Sequence, residues 1–517
     1  MRGSAETGGM GGMSRRASAA VVGMAAIALL AAPNADAGVS SDRAGAILIF
    51  PKLVVDSERG LDTFVRLSNT SDREISLLCF YVNATPKCSL PSRSCFPDPD
   101  DCETADGTCI PQWQESDFRI RVTARQPVGW LVSQGARANC SFLPGICAND
   151  ESQSCAVDRD CGLGNHCVVP PCFPLDGTFR VGRPFGAEES NIDSAVIPAP
   201  EDPFLGELKC IAVDEGSLVP VARNDLVGEV LIGRRTPEGI VDVAAYNALG
   251  IPAIEGRGNR DSTLVLGGPR VCSGGTRNGQ PCAADSECTG GGKCAFDPRV
   301  EYEGCPNILI LDHFFDGAVD PLIPNLCQVD GTCRISDTTC QSNRDCENRC
   351  EGETCTVSGG NCDTNADCSE LVGQVRLATD LTLVPCTQDL RTQNPSLSET
   401  TAQFLVFNEF EQRFSTSRSV NCFKESRLSN LDTPQNERSI FSAGVAGTLT
   451  GQTRIRGVDE GAVDHGNTLI GVVEEFRCVG PGFPLCSFVS PADLVSSSAT
   501  NLHFQGTRPV SDFLYLP

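Results

Sequence analysis

The sequence predicts an all-β protein of two β-sandwich domains, interpreted as duplicates, with disulfide-rich loops inserted between the strands. Short apolar segments alternate with Gly- and Pro-rich turns along the chain, a pattern typical of antiparallel sandwiches. Two strands joined by a polar turn, Leu61 to Ala84, recur in looser form at Thr400 to Ser426. Most of the 29 cysteines fall in four loops that are poor in aliphatic residues. Such loops cannot bury a core and need disulfides to hold their shape.

The N-terminus predicts a secretory signal peptide over residues 1–37. Arg15 and Arg16 precede an apolar run from Ala19 to Ala32, and Ala35-Asp36-Ala37 forms a small-residue cleavage site. The first cysteine is Cys79, so no lipid anchor is expected at the cleavage point. No later run approaches the ~18 apolar residues of a membrane-spanning helix, so no transmembrane segment is expected.

Composition shifts divide the mature chain into alternating framework and Cys-rich regions. We predict a first sandwich over residues 44–270 and a second over 299–517, with a Cys-rich module at 271–298 between them. The predicted Cys-rich insertions are 88–109 and 140–172 in the first domain, and 327–368 in the second.

The first half of the chain shows strand patterns almost throughout. Ala46–Phe50 is a strand stopped by Pro51, and Leu53–Val55 resumes it. Ile75 to Val82 is apolar on both faces, which indicates a central strand. In the segment from Asp117 to Arg125, the side chains of Phe118, Ile120 and Val122 alternate with polar ones. Further strands are predicted at 128–133, 207–213, 226–232 and 263–266, and a single helical turn at 241–249.

The second half repeats this character. Strands are predicted at 307–311, 375–384, 443–458, 468–477, 501–505 and 513–516. Gly206 to Val213 also resembles Val473 to Val479, each after a Cys-Phe strand, which favours the duplication.

The Cys-rich loops share the motif C-x-x-[Asp/Asn]-x-[Asp/Glu]-C. It begins at Cys155, Cys282, Cys340 and Cys362, with a longer relative at Cys95, and four or five copies in one chain are a specific signal. The fullest unit contains Cys272, Cys282, Cys288 and Cys294. Each loop holds an even number of cysteines and can close on itself.

Seven cysteines remain in the framework. If the halves are duplicates, Cys79–Cys210 and Cys422–Cys478 are equivalent core disulfides. Cys305–Cys386 is then a further pair, and Cys486 is left free or intermolecular.

Composition excludes several functions. A formal net charge of −25 disfavours nucleic acid and anionic lipid as partners. No C-x-x-C pair occurs and only four histidines are present, which disfavours thioredoxin chemistry, zinc knuckles and c-type haem. The cysteine content indicates an oxidising compartment, so we predict a secreted, periplasmic or cell-surface protein.

Calcium is the one cofactor that the sequence suggests. The densest group of hard oxygen ligands lies in the first Cys-rich loop, at Asp98, Asp100, Asp101, Glu103 and Asp106. Calcium needs six to eight oxygen ligands, and the motif copies supply two or three side chains each. The alternative is an acidic, solvated turn between disulfides, and otherwise no cofactor is expected.

Catalytic motifs are absent from the sequence. Asp312-His313, with Asp316 nearby, is the one carboxylate–histidine pair beside an apolar strand. We interpret His313 as a strand-end residue with local hydrogen bonds, and predict that the protein is not an enzyme.

The framework resembles a group of uncharacterised secreted bacterial β-rich proteins, some of which carry short Cys-rich repeats. The resemblance rests on Ile47–Lys52, Leu383–Leu390, Phe404–Ser415 and Asn501–Pro509, and covers most of the chain outside the Cys-rich loops. It implies location and fold class only.

The sequence therefore predicts a non-enzymatic structural, adhesion or binding protein that recognises a protein or glycan at a cell surface through its stapled loops. The alternatives are a secreted hydrolase and an inhibitor-like Cys-rich protein. A pocket with a hydroxyl or thiol in reach of His313 would favour the hydrolase, and a convex surface without pockets would favour binding.

Overall fold

The computed structural model describes most of the chain from Val39 onward, within a unit that spans Asp36–Pro517. The described residues are 39–90, 95, 102, 107–111, 113–138, 145–147, 150–155, 167–168, 172–173, 181–184, 196–236, 239–257, 260–268, 270–280, 282, 284–322, 331–333, 339–341, 350–352, 354–355, 375–391, 395–433, 438–458, 468–479, 494–507 and 510–517. The predicted signal peptide lies outside them.

The strands of the first half are β1 (Ile47–Val55), β2 (Leu61–Asn69), β3 (Ile75–Asn83), β4 (Pro86–Cys88), β5 (Cys109–Pro111), β6 (Gln114–Val122), β7 (Pro127–Leu131), β8 (Ala136–Ala138), β9 (Gly145–Cys147), β10 (Asp150–Cys155), β11 (Cys167–Val168), β12 (Cys172–Phe173), β13 (Val181–Pro184), β14 (Val196–Ile197), β15 (Phe204–Val213), β16 (Leu226–Thr236), β17 (Gly239–Asn247), β18 (Leu249–Ile251) and β19 (Thr263–Leu266).

The strands that follow are β20 (Arg270–Ser273), β21 (Lys293–Phe296), β22 (Pro306–Phe314), β23 (Cys350–Glu351), β24 (Thr354–Cys355), β25 (Val375–Pro385), β26 (Gln388–Asp389), β27 (Glu399–Asn408), β28 (Arg413–Asn421), β29 (Lys424–Arg427), β30 (Thr450–Val458), β31 (Leu469–Val479), β32 (Leu494–Asn501), β33 (His503–Thr507) and β34 (Asp512–Tyr515).

The all-β prediction is confirmed. In the described part of the chain, helix comprises a turn at Ala443–Ala446, 3-10 turns at Asp285–Glu287, Pro395–Ser398 and Leu428–Asn430, and the single residues Cys102 and Arg438. No described helix is long and apolar enough to cross a membrane. The helical turn predicted at 241–249 is wrong, because this segment forms β17 and β18. Its buried residues Ala244, Tyr246 and Ala248 recur at every second position, the period of a strand.

Five sheets build the framework. A six-stranded sheet has the order β13-β6-β3-β15-β1-β18, and the first four-stranded sheet the order β17-β16-β2-β7. A five-stranded sheet follows as β28-β27-β30-β22-β33, and the second four-stranded sheet as β29-β25-β31-β32. A three-stranded sheet, β19-β34-β26, joins segments from the middle and end of the described chain.

These sheets do not divide clearly into two sandwiches, because the second four-stranded sheet is buried on both faces. In β31, Ile470 and Val472 contribute to the larger hydrophobic core, which is built mainly by the first half of the chain. Leu469 and Val473 of the same strand contribute to the smaller core beneath the five-stranded sheet. Since successive side chains of a strand point to opposite faces, this one sheet belongs to both cores.

The two stretches interpreted as duplicates pair differently. The strands β2 and β3 have nearly the predicted bounds, but β2 pairs with β16 and β7, and β3 pairs with β15 and β6. The predicted hairpin at 61–84 is therefore wrong, since its strands lie in different sheets. The stretch at 400–426 is a true hairpin, β27–β28. Both stretches keep a buried Asn at the end of the first strand, Asn69 and Asn408, whose Oδ1 accepts the backbone N–H two residues later.

Pro51 does not end the first strand. The ladder between β1 and β15 pairs Phe50 with Leu208 and Leu53 with Gly206, so a β-bulge accommodates Pro51 and Lys52. The hydroxyl of Tyr246 serves both bulge backbone groups, accepting from the Lys52 N–H at 3.0 Å and donating to the Lys52 carbonyl. The bulge is thereby satisfied within the core.

The framework disulfides agree with the predicted pairs in two of three cases. Cys79–Cys210 and Cys305–Cys386 are bonded. Cys79 and Cys210 are direct partners on β3 and β15, so their bond joins neighbouring strands of one sheet rather than two facing sheets. The predicted Cys422–Cys478 bond is wrong: Cys422 is a buried free thiol, and Cys478 is bonded to another cysteine. Cys486 lies outside the described residues.

Candidate functional site

A cleft of about 590 Å³ lies at one end of the five-stranded sheet. Strands β22, β27, β30 and β31 bring its residues together from distant parts of the sequence. The lining comprises Asp312, His313, Phe314, Phe407, Asn408, Glu409, Thr450, Gly451, Gln452 and Glu475. It contains the histidine and one of the two acids that the sequence analysis singled out.

His313 is a satisfied core residue. Its Nδ1 lies 3.0 Å from the carbonyl oxygen of Phe314, which can only accept, so Nδ1 carries the proton. Its Nε2 lies 2.8 Å from Oγ1 of Thr453 and accepts from that hydroxyl. Burial lowers the pKa of His313 to about 4, so the ring is neutral at physiological pH.

The hydroxyl partner of His313 is within hydrogen-bond reach, but it faces the protein interior. Thr453 is fully buried and does not line the cleft, and the imidazole packs edge-on against Phe315 with ring centroids 5.1 Å apart. The pair has the hydrogen bond of a base and nucleophile without access to a substrate. These contacts match the interpretation of His313 as a locally hydrogen-bonded strand residue.

The two acids near His313 do not pair with it. Asp312 is the preceding strand residue and points to the opposite face, where its Oδ1 accepts from Nε2 of Gln452 at 3.0 Å. Asp316 is buried and accepts the backbone N–H groups of Thr379 and Ser429, each at 2.8 Å. Burial raises the pKa of Asp316 to about 6, against the attraction of Arg427. Its role is to tie three segments of backbone together.

Sequence reasoning missed the other acids of the cleft. Glu409 accepts from the side-chain hydroxyl and backbone N–H of Thr450, which lower its pKa. Burial raises the pKa of Glu475, against the opposing effects of Arg477 and the backbone N–H of Phe314. Because β31 reaches the cleft only through tertiary packing, local sequence carries no signal for Glu475. For Asn408, the sequence indicates only a position at the end of a strand.

Metal ligation has no preformed site among the described residues. Within the described ranges, the groups of three or more candidate ligand atoms that lie close together are the sulfurs of Cys88, Cys95 and Cys102, and of Cys272, Cys282 and Cys288. All six cysteines are disulfide-bonded, and cystine sulfur does not supply the thiolate that binds metals. The acids predicted to bind calcium, Asp98, Asp100, Asp101, Glu103 and Asp106, lie outside the described residues.

The Cys-rich module at 270–296 is a small unit whose buried centre consists of disulfide-bonded cysteines. Its neck is the two-stranded sheet β20–β21, in which Val271 pairs with Ala295. Cys272–Cys288 and Cys282–Cys294 interlock as first-to-third and second-to-fourth bonds. These cysteines form a hydrophobic cluster of their own, and residues 273–280 are all exposed.

The repeated acid of the motif has a structural role in this module. Oδ1 of Asp285 accepts the backbone N–H of Cys294 at 2.7 Å. The chain also comes close to itself: a Cβ at Gly275, where φ is +74°, would lie 2.3 Å from the carbonyl oxygen of Thr289. Asp285 therefore holds the module closed, and such a contact suits the Asp or Asn that the motif requires.

The described part of the module at 88–109 has the same construction. Cys88–Cys102 and Cys95–Cys109 again interlock first to third and second to fourth. Lys87 pairs with Ile110 across the β4–β5 neck. The two modules thus share one disulfide pattern and one means of attachment.

Comparison with known proteins gives no match to any family model, to any curated protein or to any solved structure.

Proposed function

We propose that the protein is a non-enzymatic binding and structural protein, secreted or held at the cell surface, which presents its stapled modules to a protein or glycan. The observation that carries the proposal is the construction of the two described modules. Each leaves the framework through a paired neck and is fixed by two interlocked disulfides. In the module at 270–296, residues 273–280 are all exposed. Rigid loops on a scaffold lose little conformational entropy on binding, which favours recognition.

The disulfides support the proposed location. Such bonds persist in oxidising compartments and are rare in reducing ones. Six of them are fully defined among the described residues.

The test is to excise both modules while keeping the framework. Because the necks are paired strands, an Asn-Gly turn can join Lys87 to Ile110, and another can join Val271 to Ala295. We expect a thermal midpoint within about 5 °C of the native one. Binding to cell-envelope material of the source cells, measured by co-sedimentation, should fall about tenfold or more, a loss of at least ~1.4 kcal/mol.

A framework variant provides the control. Asp72→Ala with Arg73→Ala changes an exposed turn and should leave envelope binding unchanged. Equal binding by the native protein and the excised variant would show that these modules are not the recognition elements.

A secreted hydrolase is the second candidate function. The cleft holds one acid with a raised pKa, Glu475, and another with a lowered pKa, Glu409. Carboxyl groups whose pKa values are driven apart are the usual source of acid and base roles. Release of sugars or peptides by the purified protein, lost in Glu475→Gln, would favour this function over binding.

A further inference from the structure

The five-stranded sheet has an open outer face that differs in charge from the rest of the chain. Its inner face builds the smaller core, through Phe404, Val406 and Ile455 among others. The outer face carries the intervening residues of the same strands. Arg454 and Arg456 of β30 and Arg413 of β28 are all exposed there. We call this outer surface the arginine face.

Strand register fixes the arrangement of the three arginines. Leu405 of β27 pairs with Arg454 on one side and with Ser415 on the other, and Gln403 pairs with Arg456. Phe407 pairs with Arg413 of β28. Arg454 and Arg456 are thus about 7 Å apart along one strand, and Arg413 lies two strands, about 10 Å, to the side.

The three guanidinium groups are not engaged within the protein. None of them forms a hydrogen bond or ion pair with another residue of the described chain. Two acids occupy strand-paired positions of this face in the described chain: Asp312, whose Oδ1 accepts from Gln452, and Glu399, which pairs with Asn421 at the start of β27. By contrast, several other arginines of the framework form ion pairs with acids, as Arg427 does with Asp380 at 2.6 Å.

Charge complementarity identifies the kind of occupant. The whole chain carries a formal net charge of −25, so a local surplus of exposed arginines is not a general property of its surface. The planar guanidinium group matches the geometry of carboxylates and sulfates. The apolar side chains of Ile308, Ile310, Leu405 and Phe407 on this face are all half-buried, so the face lacks the large exposed apolar centre of most protein–protein interfaces.

We propose that the arginine face binds an acidic polysaccharide, whose carboxylate or sulfate groups pair with Arg413, Arg454 and Arg456. Gln403 and other neutral polar side chains between the arginines can hydrogen-bond sugar hydroxyl groups. Duplex nucleic acid has a charge about every 1.7 Å and is strongly repelled by the acidic chain. A polyuronate has at most one charge per sugar, so the acidic chain repels it less strongly. Three local arginine contacts can outweigh this weaker repulsion.

The experiment measures retention of the full chain on immobilised polygalacturonate and on dextran sulfate, with neutral dextran as reference. We expect retention on one or both anionic polymers, weakening as salt rises because exposed ion pairs are screened. The triple variant Arg413→Gln, Arg454→Gln and Arg456→Gln should bind at least about tenfold more weakly, ~1.4 kcal/mol. The two anionic arms distinguish a carboxylated from a sulfated glycan.

A second triple variant controls for net charge. Arg43→Gln, Arg73→Gln and Arg125→Gln remove the same charge from exposed positions of the first half and should bind as the native protein does. Replacing the three face arginines by lysine should restore part of the affinity, since the charge returns without the bidentate geometry. The variant that lacks both Cys-rich modules should still be retained on the anionic polymers. The proposed polysaccharide site and the proposed function of the modules can therefore fail separately.

Several outcomes would overturn the inference. The native protein could pass through both anionic columns, or the control triple variant could lose as much affinity as the face variant. Competition by duplex oligonucleotide as strong as by polygalacturonate would show a nonspecific anion surface. Concentration-dependent dimerisation of the native protein, abolished in the face variant, would identify a second copy of this chain as the occupant.

Discussion

Glu115 is a carboxyl group held where ionisation is costly. It lies on β6 beside Trp113, at a small cavity of about 20 Å³ that the Cys422 thiol also lines. Burial, with repulsion from Asp117, raises the pKa of Glu115 to about 9. The folded protein therefore keeps this carboxyl protonated at neutral pH, whereas an unfolded chain would ionise it near the usual glutamate pKa of 4.5.

Glu115→Gln should stabilise the protein increasingly as the pH rises. For an acid whose folded pKa is raised, stability is fully present below the unfolded pKa and declines until the folded pKa is passed. One such proton corresponds to a slope of up to ~1.4 kcal/mol per pH unit, between about pH 4.5 and 9. Glutamine has no titratable proton. The thermal midpoint of the variant should therefore rise relative to that of the native protein between pH 5 and pH 8.

Thermal melts of both proteins at the two pH values measure this effect. Glu58→Gln, at an exposed turn, is the matched control and should show a difference that does not grow with pH. A constant difference for Glu115→Gln as well would mean that the native carboxyl is already ionised at pH 5, so that folding does not raise its pKa.

Strand β1 shows how one element depends on a distant hydroxyl. Its bulge at Pro51 and Lys52 interrupts the ladder with β15, and both freed backbone groups of Lys52 bond to Tyr246 on β17. A buried donor or acceptor left without a partner costs about 1–3 kcal/mol. The bulge is therefore stabilised by a side chain from another sheet.

Tyr246→Phe should destabilise the protein by about 1–3 kcal/mol, because the ring still packs while the Lys52 N–H and carbonyl lose their partner. Urea unfolding followed by fluorescence measures the change. Tyr515→Phe removes a hydroxyl from a half-buried ring stacked under Arg391 and should have little effect. Equal stability of Tyr246→Phe and the native protein would show that the bulge does not need the hydroxyl.

The elements were more predictable than their pairing. Thr263–Leu266 forms the strand that its apolar residues predict, and Phe118, Ile120 and Val122 are buried as their alternation indicates. Local sequence carries such periods, but it does not specify which sheet a strand joins. The segment β2–β3, whose strands lie in different sheets, and the true hairpin β27–β28 can therefore have similar sequences and still pair differently.

Because local sequence does not specify strand pairing, only some residues of the candidate site could be predicted. His313 could be interpreted from its own strand, because its neighbours are Asp312 and apolar residues. Glu475 could not, since only tertiary packing of β31 brings it to the cleft. Duplication predicts a disulfide at Cys422 equivalent to that of Cys79, and this prediction is wrong because the two stretches pair differently.

Buried ion pairs connect the two halves of the chain. Lys52 on β1 contacts Glu425 of β29 at 3.0 Å and also pairs with Glu474 of β31. Burial by itself would lower the pKa of Lys52, but Glu425, Glu474 and Asp380 raise it above its usual range. Lys52 therefore stays charged, and its charge is matched by acids that come only from the second half.

Lys52→Met should destabilise the protein strongly, by about 3–5 kcal/mol, because Glu474 then remains buried without its cation. The double variant Lys52→Met with Glu474→Gln should recover a large part of that loss, since the isolated charge is removed as well. Unfolding free energies of the single and double variants test this coupling. Strictly additive effects of the two substitutions would show that the pair is not coupled.

The second four-stranded sheet, buried on both faces, has a consequence for how this chain can change in evolution. Neither half can be exchanged for a homologous one by recombination without disturbing a core that the other half completes. The two described Cys-rich modules differ in this respect, because each enters and leaves the framework through neighbouring paired residues. Whole modules can be gained, lost or replaced at their necks while the framework is inherited as one unit.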